Sequence, residues 1–137
     1  MKNTILLSII MGLFFACSNN DQNNTETQLI GEWKLIEVLA DPGDGSGTFQ
    51  PIKSTKTIGF KNDGTITTNI SLCEPYLDEI ISSGTYHDNT IITNCENQNS
   101  TTVGFKLENE YLILDFVSNE GYSQKFEKVK KVNANNY

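Results

Sequence analysis

The sequence predicts an all-β fold, a small eight-stranded antiparallel up-and-down barrel, and three observations lead to it. Turn-forming residues recur roughly every 8–15 residues and separate short stretches rich in β-branched and aromatic side chains. After the N-terminal segment, no long stretch of the sequence shows the spacing of apolar residues that is typical of a helix. Eight strands are also the number that closes a sheet around an interior just wide enough for side chains or one small ligand.

The first strand shows the clearest pattern. Across Gly31–Leu39, the residues Trp33, Leu35, Glu37 and Leu39 share one face, so a single acid interrupts an apolar stripe. The other seven strands are expected at Lys56–Phe60, Thr65–Ile70, Ser83–His87, Thr90–Cys95, Thr101–Leu107, Tyr111–Val117 and Tyr122–Val129.

Short polar turns join these strands and predict hairpins. Asn and Gly within Lys61–Gly64 can adopt the left-handed backbone conformations that a tight hairpin needs. Asp88–Asn89, Glu108–Glu110 and Ser118–Gly121 are further turns of this kind. The structure of Leu72–Ile81 stays open, and a single helical turn near a barrel mouth is one possibility, because Leu77, Ile80 and Ile81 have helical spacing after Pro75.

The first 16 residues predict a signal peptide. Lys2 precedes an apolar run from Ile5 to Phe15, and small Ala16 lies before Cys17. As a helix, this run would rise only about 16 Å, roughly half of the hydrocarbon thickness that a transmembrane helix must cross. We therefore expect the run to direct export and not to span a membrane.

The remaining chain divides into three parts. Residues 17–28 contain no apolar side chain after the cysteine, and we expect a disordered tether there because such a segment cannot bury surface. The barrel domain is expected at 29–131, which is enough for one core and too short for two. Residues 132–137 are expected to form a disordered tail.

The segment Leu13–Cys17 resembles the lipobox of bacterial lipoproteins, in which a peptidase cuts before a cysteine whose thiol carries a diacylglycerol. The resemblance implies that Cys17 is lipidated and that the membrane is a partner through this lipid. It implies a location in the bacterial cell envelope, and Ser18 after the cysteine is similar to lipoproteins released to the outer membrane. A secreted protein and a retained anchor are the alternatives.

The other two cysteines are candidates for a disulfide. If Cys17 carries lipid, Cys73 and Cys95 remain in an oxidising compartment, where such a pair usually closes a bond. Two separate buried thiols are the alternative. No metal site is expected, because two cysteines and His87, the only histidine, supply too few ligands.

Charge and composition limit the possible partners. The formal net charge of −7 argues against binding to nucleic acid. The chain contains no arginine, so it lacks the residue that clamps a phosphate or a carboxylate with two parallel hydrogen bonds. Polyanionic partners are therefore not expected.

The segment Leu29–Leu35 contains Gly31-x-Trp33, which resembles the signature that opens the first strand of lipocalins and of bacterial lipocalin-like lipoproteins. The glycine-rich loop after this strand is similar to the long first loop of that bacterial group. The resemblance implies a lipocalin-like barrel in which Trp33 plugs the closed end and its indole N–H bonds to nearby backbone. Lipocalins pack an arginine of the last strand over this tryptophan, and Lys125 or Lys128 could substitute in part.

Four acidic residues are candidates for contact with a ligand. Glu37 and Asp115 would be costly buried charges, and hence ligand-site candidates, if they faced the interior; the alternative is an outer position. Asp41 and Asp44 lie in the glycine-rich loop, which is a candidate lid or partner-binding surface. A calcium loop that began at Asp41 would need a glutamate where Ile52 stands, so no metal is expected.

The sequence shows no set of nucleophile, base and orienting residue, and His87 beside Asp88 is expected in an exposed turn. We therefore expect neither an enzyme nor a cofactor. As the lipocalin resemblance implies, the expected function is binding of a small apolar or amphipathic ligand in the barrel mouth. The alternative is an accessory lipoprotein that contacts a protein partner through its surface, around a barrel filled with side chains.

Overall fold

The computed structural model describes residues 27–76, 81–93, 95, 101–118 and 120–130, and these form a closed antiparallel barrel of eight strands with one additional short strand. The strands are β1 (Gly31–Ala40), β2 (Gln50–Pro51), β3 (Thr57–Phe60), β4 (Thr65–Thr68), β5 (Ser82–His87), β6 (Thr90–Thr93), β7 (Thr101–Glu108), β8 (Tyr111–Phe116) and β9 (Tyr122–Lys128). Strands β3 to β9 follow β1 around the barrel in chain order, and β9 pairs with β1 to close it. The predicted eight-stranded barrel is confirmed.

Strand β2 is the element that the sequence did not predict. Gln50 and Pro51 pair with Val38 and Glu37, along the edge of β1 whose first half pairs with β3. A strand of two exposed residues, one of them proline, has no alternating pattern by which a sequence could reveal it.

A β-bulge in β1 exchanges the inward and outward faces halfway along the strand. The register between β1 and β9 shifts between Leu35 and Glu37, so Ile36 is an extra residue on β1. Trp33 and Leu35 are buried in the core before the bulge, whereas Val38 packs against the core after it. The single face predicted for alternate residues of β1 is therefore wrong beyond Leu35.

Apolar side chains fill the interior. The barrel strands contribute fully or nearly fully buried residues to one continuous core, which include Trp33, Ile58, Ile66, Ile91, Val103, Leu112, Leu114 and Phe126. Alternate residues of most of the barrel strands supply this core, as expected for a sheet with one face packed and the other in solvent. Removal of these side chains from water stabilises the fold.

Strand β4 ends two residues before the predicted Ile70. The Thr68 hydroxyl accepts a hydrogen bond from the Ile70 N–H (3.0 Å), and the Asn69 side-chain oxygen accepts one from the Thr57 N–H (2.7 Å). Because these local bonds replace those of the sheet, the chain leaves the barrel wall at this point.

The barrel has two differently built ends, which are named here for the following sections. The tryptophan end contains Trp33 and the hairpin turns 61–64, 88–89 and 109–110. The disulfide end contains the segment after β4, the loop after β1 and the turn between β8 and β9.

Several sequence-based expectations fall outside the described residues. These are the signal peptide 1–16, the lipidated Cys17, most of the tether and the tail 132–137. Residues 27–29, at the junction of the expected tether and barrel, form one helical turn. In the described part of the chain, no helix has both the length and the apolar character needed to cross a membrane.

Candidate ligand-binding site

Residues 70–76 lie across the disulfide end of the barrel and are called the strap. Ile70 and Leu72 are fully buried in the core. Cys73 is bonded to Cys95, with a Cα–Cα distance of 5.9 Å, and this bond ties the strap to the chain after β6. The predicted disulfide is confirmed, and the alternative of two separate thiols is wrong.

The strap consists of bends and a turn at residues 75–76. The helical turn expected as one possibility within Leu72–Ile81 depends on residues 77–80, which lie outside the described part of the chain. Two apolar anchors hold the strap, because Ile70 and Leu72, two residues apart, both insert into the core.

A cavity of about 290 Å³ lies between the strap and strands β7 and β8, and it is called the mouth pocket. Tyr76 and Val117 stand at its rim, where they are 65% and 90% exposed. Its volume is close to the lower bound of roughly 300 Å³ for sites that bind small molecules. The apolar walls include Leu72, Pro75, Val103 and Phe116.

One polar side chain lies in the apolar interior next to this pocket. Gln124 is fully buried and shares the inward face of β9 with Tyr122 and Phe126. Its Nε2 donates to the Tyr122 hydroxyl (3.2 Å) and lies 3.5 Å from the carbonyl oxygen of Pro75, a pocket residue. Its Oε1 has no hydrogen-bond partner among the described residues. A buried acceptor in this state is rare in folded proteins.

Aromatic rings connect the rim of the pocket to Gln124. The Tyr76 ring lies 4.4 Å from the Tyr122 ring, centroid to centroid, and the Phe116 ring lies 5.7 Å from Tyr122 on the other side. Tyr122 therefore packs against two pocket residues while its hydroxyl contacts Gln124. These three rings, tilted by 43° and 49° to their neighbours, form an aromatic cluster between the pocket rim and Gln124.

The glycine-rich loop after β1 is organised around the Asp41 carboxylate. Its oxygens accept hydrogen bonds from the N–H groups of Gly47 (2.6 Å), Gly43 (2.7 Å) and Gly45 (3.0 Å). These bonds hold the pKa of the Asp41 carboxyl below its usual value, and the bond from the Gly47 N–H has the largest effect. Gly43 and Gly45 have positive φ, which lets the loop curl around the carboxylate. Asp41 therefore organises the loop.

Asp44 is engaged within the same loop. Its Oδ1 accepts the Ser46 N–H (2.9 Å), and hydrogen bonds from the Ser46 side chain and backbone lower the pKa of the Asp44 carboxyl. Neither Asp41 nor Asp44 is among the residues that line the mouth pocket. The structure does not bring these two candidates together with the pocket.

Glu37 and Asp115 both lie on the outer face of the barrel. The Glu37 carboxylate contacts the Lys125 ammonium (2.9 Å), which also lies 4.8 Å from the centre of the Tyr111 ring. Asp115 is exposed and accepts a hydrogen bond from the Ser123 hydroxyl (2.6 Å). The outer position, which was the alternative for these residues, is the one observed.

Trp33 closes the opposite end of the barrel. Its indole N–H donates to the Leu29 carbonyl (2.8 Å), and the Lys128 ammonium lies 5.2 Å from the centre of its ring. The same ammonium donates to the Gln28 carbonyl. Gly31 has φ of +129°, and a Cβ there would lie 3.2 Å from the Lys128 side chain. Of the two lysines named for the position over the tryptophan, Lys128 occupies it.

A second cavity of about 580 Å³ lies outside the tryptophan end. Its walls carry charges of both signs, since Glu110, Glu127, Lys128 and Lys130 all contribute to them. The buried Trp33 forms its inner boundary and separates it from the core. Its walls are more polar than those of the mouth pocket and therefore suit an apolar ligand less well.

His87 and Asp88 form an exposed pair at a hairpin tip, with 3.0 Å between Nδ1 and Oδ2. Asp88 has positive φ, as expected of a residue in a tight turn. Within the described ranges, no three His, Cys, Asp or Glu side chains are grouped so that they could hold a metal ion.

Sequence reasoning missed Gln124 and the strap. The signal for Gln124 lies in Tyr122–Phe126, where alternate residues are aromatic, amide and aromatic, so a polar group occupies the inward register of a strand. The strap carries no comparable signal, because its path is set by the packing of Ile70 and Leu72 against strands that are distant in sequence.

The fold and the site together define a closed eight-stranded antiparallel barrel, plugged by a tryptophan at one end and crossed at the other by a disulfide-linked strap beside an apolar pocket. No protein-family model matches this chain, and no curated protein shows significant similarity to its sequence.

Proposed function

We propose that this protein is a lipid-anchored protein of the bacterial envelope whose lipocalin-like barrel binds a small apolar or amphipathic molecule in the mouth pocket. The observation that carries the proposal is the pocket itself, an apolar concavity of about 290 Å³ at the end opposite the tryptophan plug. We propose a binding protein and not an enzyme. Its partners are the ligand and, through the lipid, the membrane.

The arrangement at the tryptophan end supports the lipocalin-like assignment. Gly31-x-Trp33 opens the first strand, and the last strand places a cation over the indole ring. In lipocalins an arginine has this position, and the lysine here keeps the charge although it lacks the planar guanidinium. A plugged end leaves the opposite end as the place for a ligand.

The confirmed disulfide supports export, because such bonds form and persist in oxidising compartments. The lipobox-like segment ending at Cys17 supports the anchor. We expect a Cys17→Ser variant to lose its acyl mass and to leave the membrane fraction. A Cys73→Ser variant is the matched control and keeps the anchor. Membrane association that is unchanged in Cys17→Ser would contradict the anchor.

The ligand proposal is tested by filling the pocket. Thr101 lines the mouth pocket, and its neighbour Thr102 is exposed on the same strand. Native mass spectrometry of protein purified from its own envelope is expected to show a bound small molecule on the unmodified protein and on Thr102→Trp. Thr101→Trp is expected to lose it. An adduct that persists in Thr101→Trp, or that is missing from all three proteins, would contradict ligand binding in this pocket.

A second candidate function is favoured by the packing of the interior. The core side chains are at most 8% exposed, so apolar residues occupy the bore in which many barrels hold their ligands. An accessory protein that works through its outer surface needs only such a rigid, filled barrel. The same mass spectra test this candidate, since it requires a retained protein partner and no small-molecule adduct.

A further inference from the structure

We infer that the tryptophan end of the barrel rests on the membrane that holds the Cys17 anchor, and that the second cavity receives the headgroup of a zwitterionic phospholipid with a primary ammonium. The inference rests on the lipid anchor of the proposed function and not on the ligand of the mouth pocket. Its basis is the place where the chain from Cys17 enters the barrel, together with the charges around the second cavity.

The chain that leads from Cys17 enters the barrel at the tryptophan end. Gln28 lies 11 positions after Cys17 and lines the second cavity. Its carbonyl accepts a hydrogen bond from Lys128, which lies over Trp33. For the disordered tether that the sequence predicts, a length of about 11 residues gives a root-mean-square span of about 17–20 Å. A lipid on Cys17 therefore keeps the tryptophan end close to the membrane.

The mouth pocket lies at the opposite end of the barrel. Strand β1 runs from one end to the other, and its ten residues rise about 33 Å along the strand. With the tilt of about 35–45° that is usual for barrel strands, roughly 25 Å separates the two ends. To turn the mouth pocket toward the membrane, the tether would have to stretch along the whole barrel wall, which costs chain entropy. The mouth pocket therefore faces away from the anchoring membrane.

Four charged side chains of both signs line the second cavity, Glu110 and Glu127 as anions and Lys128 and Lys130 as cations. Among the described residues, none of the four takes part in an ion pair. A zwitterionic headgroup carries a phosphate next to an ammonium, so it provides a partner for both signs at once. The volume of about 580 Å³ is within the range of sites that bind small molecules.

The backbone of Glu110 also indicates a role for its side chain. Asn109 and Glu110 have φ of +50° and +70°, and Asn-Gly is the preferred pair for a turn with two such residues. A glutamate in the place of the glycine is strained, and such strain is found most often at functional sites. Because Glu110 lines the second cavity, its carboxylate is available to accept hydrogen bonds from a ligand ammonium.

The walls of the second cavity favour a primary ammonium over other headgroups. A quaternary ammonium donates no hydrogen bond and is bound by a cage of aromatic faces. Both rings in the walls already have a lysine over one face. Lys128 lies 5.2 Å from the centre of Trp33, and Lys125 lies 4.8 Å from the centre of Tyr111. A purely anionic headgroup would leave the two glutamates without a partner, and the net charge of −7 opposes its approach.

The experiment uses the full-length lipidated protein in nanodiscs, with a small fraction of lipids whose headgroup carries a gadolinium chelate. In phosphatidylcholine discs that contain phosphatidylethanolamine, we expect paramagnetic broadening to remove the methyl signals of Val129, at the second cavity. The methyl signals of Val117, at the mouth pocket, are expected to persist. In discs of phosphatidylcholine alone, or with phosphatidylglycerol in place of phosphatidylethanolamine, Val129 is expected to broaden less.

Substitution of a carboxylate separates headgroup binding from tethering. Glu110→Gln keeps the size of the side chain and is expected to reduce the broadening of Val129 in phosphatidylethanolamine discs to the level in phosphatidylcholine alone. Glu108→Gln is the matched control, because Glu108 lies in the same hairpin, pairs with Lys106 and is not among the residues that line the second cavity. It is expected to leave the broadening of Val129 unchanged.

The outcomes separate the inference from the proposed function. Equal broadening of Val129 and Val117, or stronger broadening of Val117, overturns the inferred orientation and leaves the anchor in place. Broadening of Val129 that is the same in all three lipid compositions, or that persists in Glu110→Gln, overturns the headgroup site. If the protein carries no acyl mass and does not enter the nanodiscs, the anchor of the proposed function fails together with the inference.

Discussion

The two ends of this barrel are closed by different physical means. At the tryptophan end, one large ring fills the opening and is held by groups close to it in sequence or across one strand pair, Leu29 and Lys128. At the disulfide end, a strap from a distant part of the sheet is held by two apolar anchors and a covalent bond. The unsatisfied amide oxygen of Gln124 and the mouth pocket both lie at the disulfide end.

This difference indicates that the two ends have different roles, one in stability and the other in ligand contact. A plug made from one buried ring has a fixed geometry, because its indole N–H is bonded to the Leu29 carbonyl and Lys128 lies over its face. A strap closes the barrel without filling it, because backbone and medium-sized side chains leave space beside them. The predictions below test whether stability resides at the first end and ligand contact at the second.

The largest expected effect is at the tryptophan plug. We expect Trp33→Ala to lower the free energy of unfolding by about 3–5 kcal/mol, because the ring is almost fully buried and its removal leaves a cavity. Tyr76→Ala, at the exposed rim, is the control and is expected to cost about 1 kcal/mol or less. Urea denaturation measures the free energy of unfolding of both variants. Equal losses in Trp33→Ala and Tyr76→Ala would contradict the proposed difference between the two ends.

The strap is expected to contribute slightly less. Cys73→Ser with Cys95→Ser opens a covalent loop between residues 22 apart, which in the chain-entropy treatment costs about 3 kcal/mol. The disulfide end should then exchange its amide hydrogens faster, while Trp33 fluorescence at the other end stays unchanged. Hydrogen exchange measured by mass spectrometry checks the first point, and an altered Trp33 spectrum would show that the two ends are not independent.

The same contrast determines what the sequence could predict. The eight strands could be foreseen, because alternation and turn residues are local signals that agree with one another, and the plug was implied by the resemblance of Gly31-x-Trp33 to the lipocalin signature. The prediction that alternate residues of β1 share one face is wrong from Glu37 onward, because a bulge adds a residue that no alternating pattern reveals. The mouth pocket could not be foreseen at all, because it depends on where Cys73 places the strap over the barrel.

A smaller effect is expected where Lys128 covers Trp33. Lys128→Met keeps most of the aliphatic chain but removes a cation near the ring and the bond to the Gln28 carbonyl. We expect a loss of about 1 kcal/mol, typical of an exposed cation–π contact with one hydrogen bond. Lys106→Met, on the outer face of β7, is the matched control and should change little. A gain in stability on Lys128→Met would mean that hydrophobic covering, and not charge, is what the indole requires.

The smallest expected effect concerns the Asp41 loop at the disulfide end. Because hydrogen bonds lower its pKa in the folded protein, Asp41 stabilises the loop fully above its unfolded pKa near 3.8, and this contribution is lost as the pH falls through the lower folded value. The Gly47 amide should therefore lose protection from hydrogen exchange below pH 3.8, beyond the intrinsic effect of pH. Asp41→Asn should remove that dependence, whereas Asp63→Asn, in a hairpin at the tryptophan end, should leave Gly47 as it was. If Asp63→Asn alters Gly47 as strongly as Asp41→Asn does, the two ends of the barrel are coupled through its wall, and the rigid, filled core transmits changes between them.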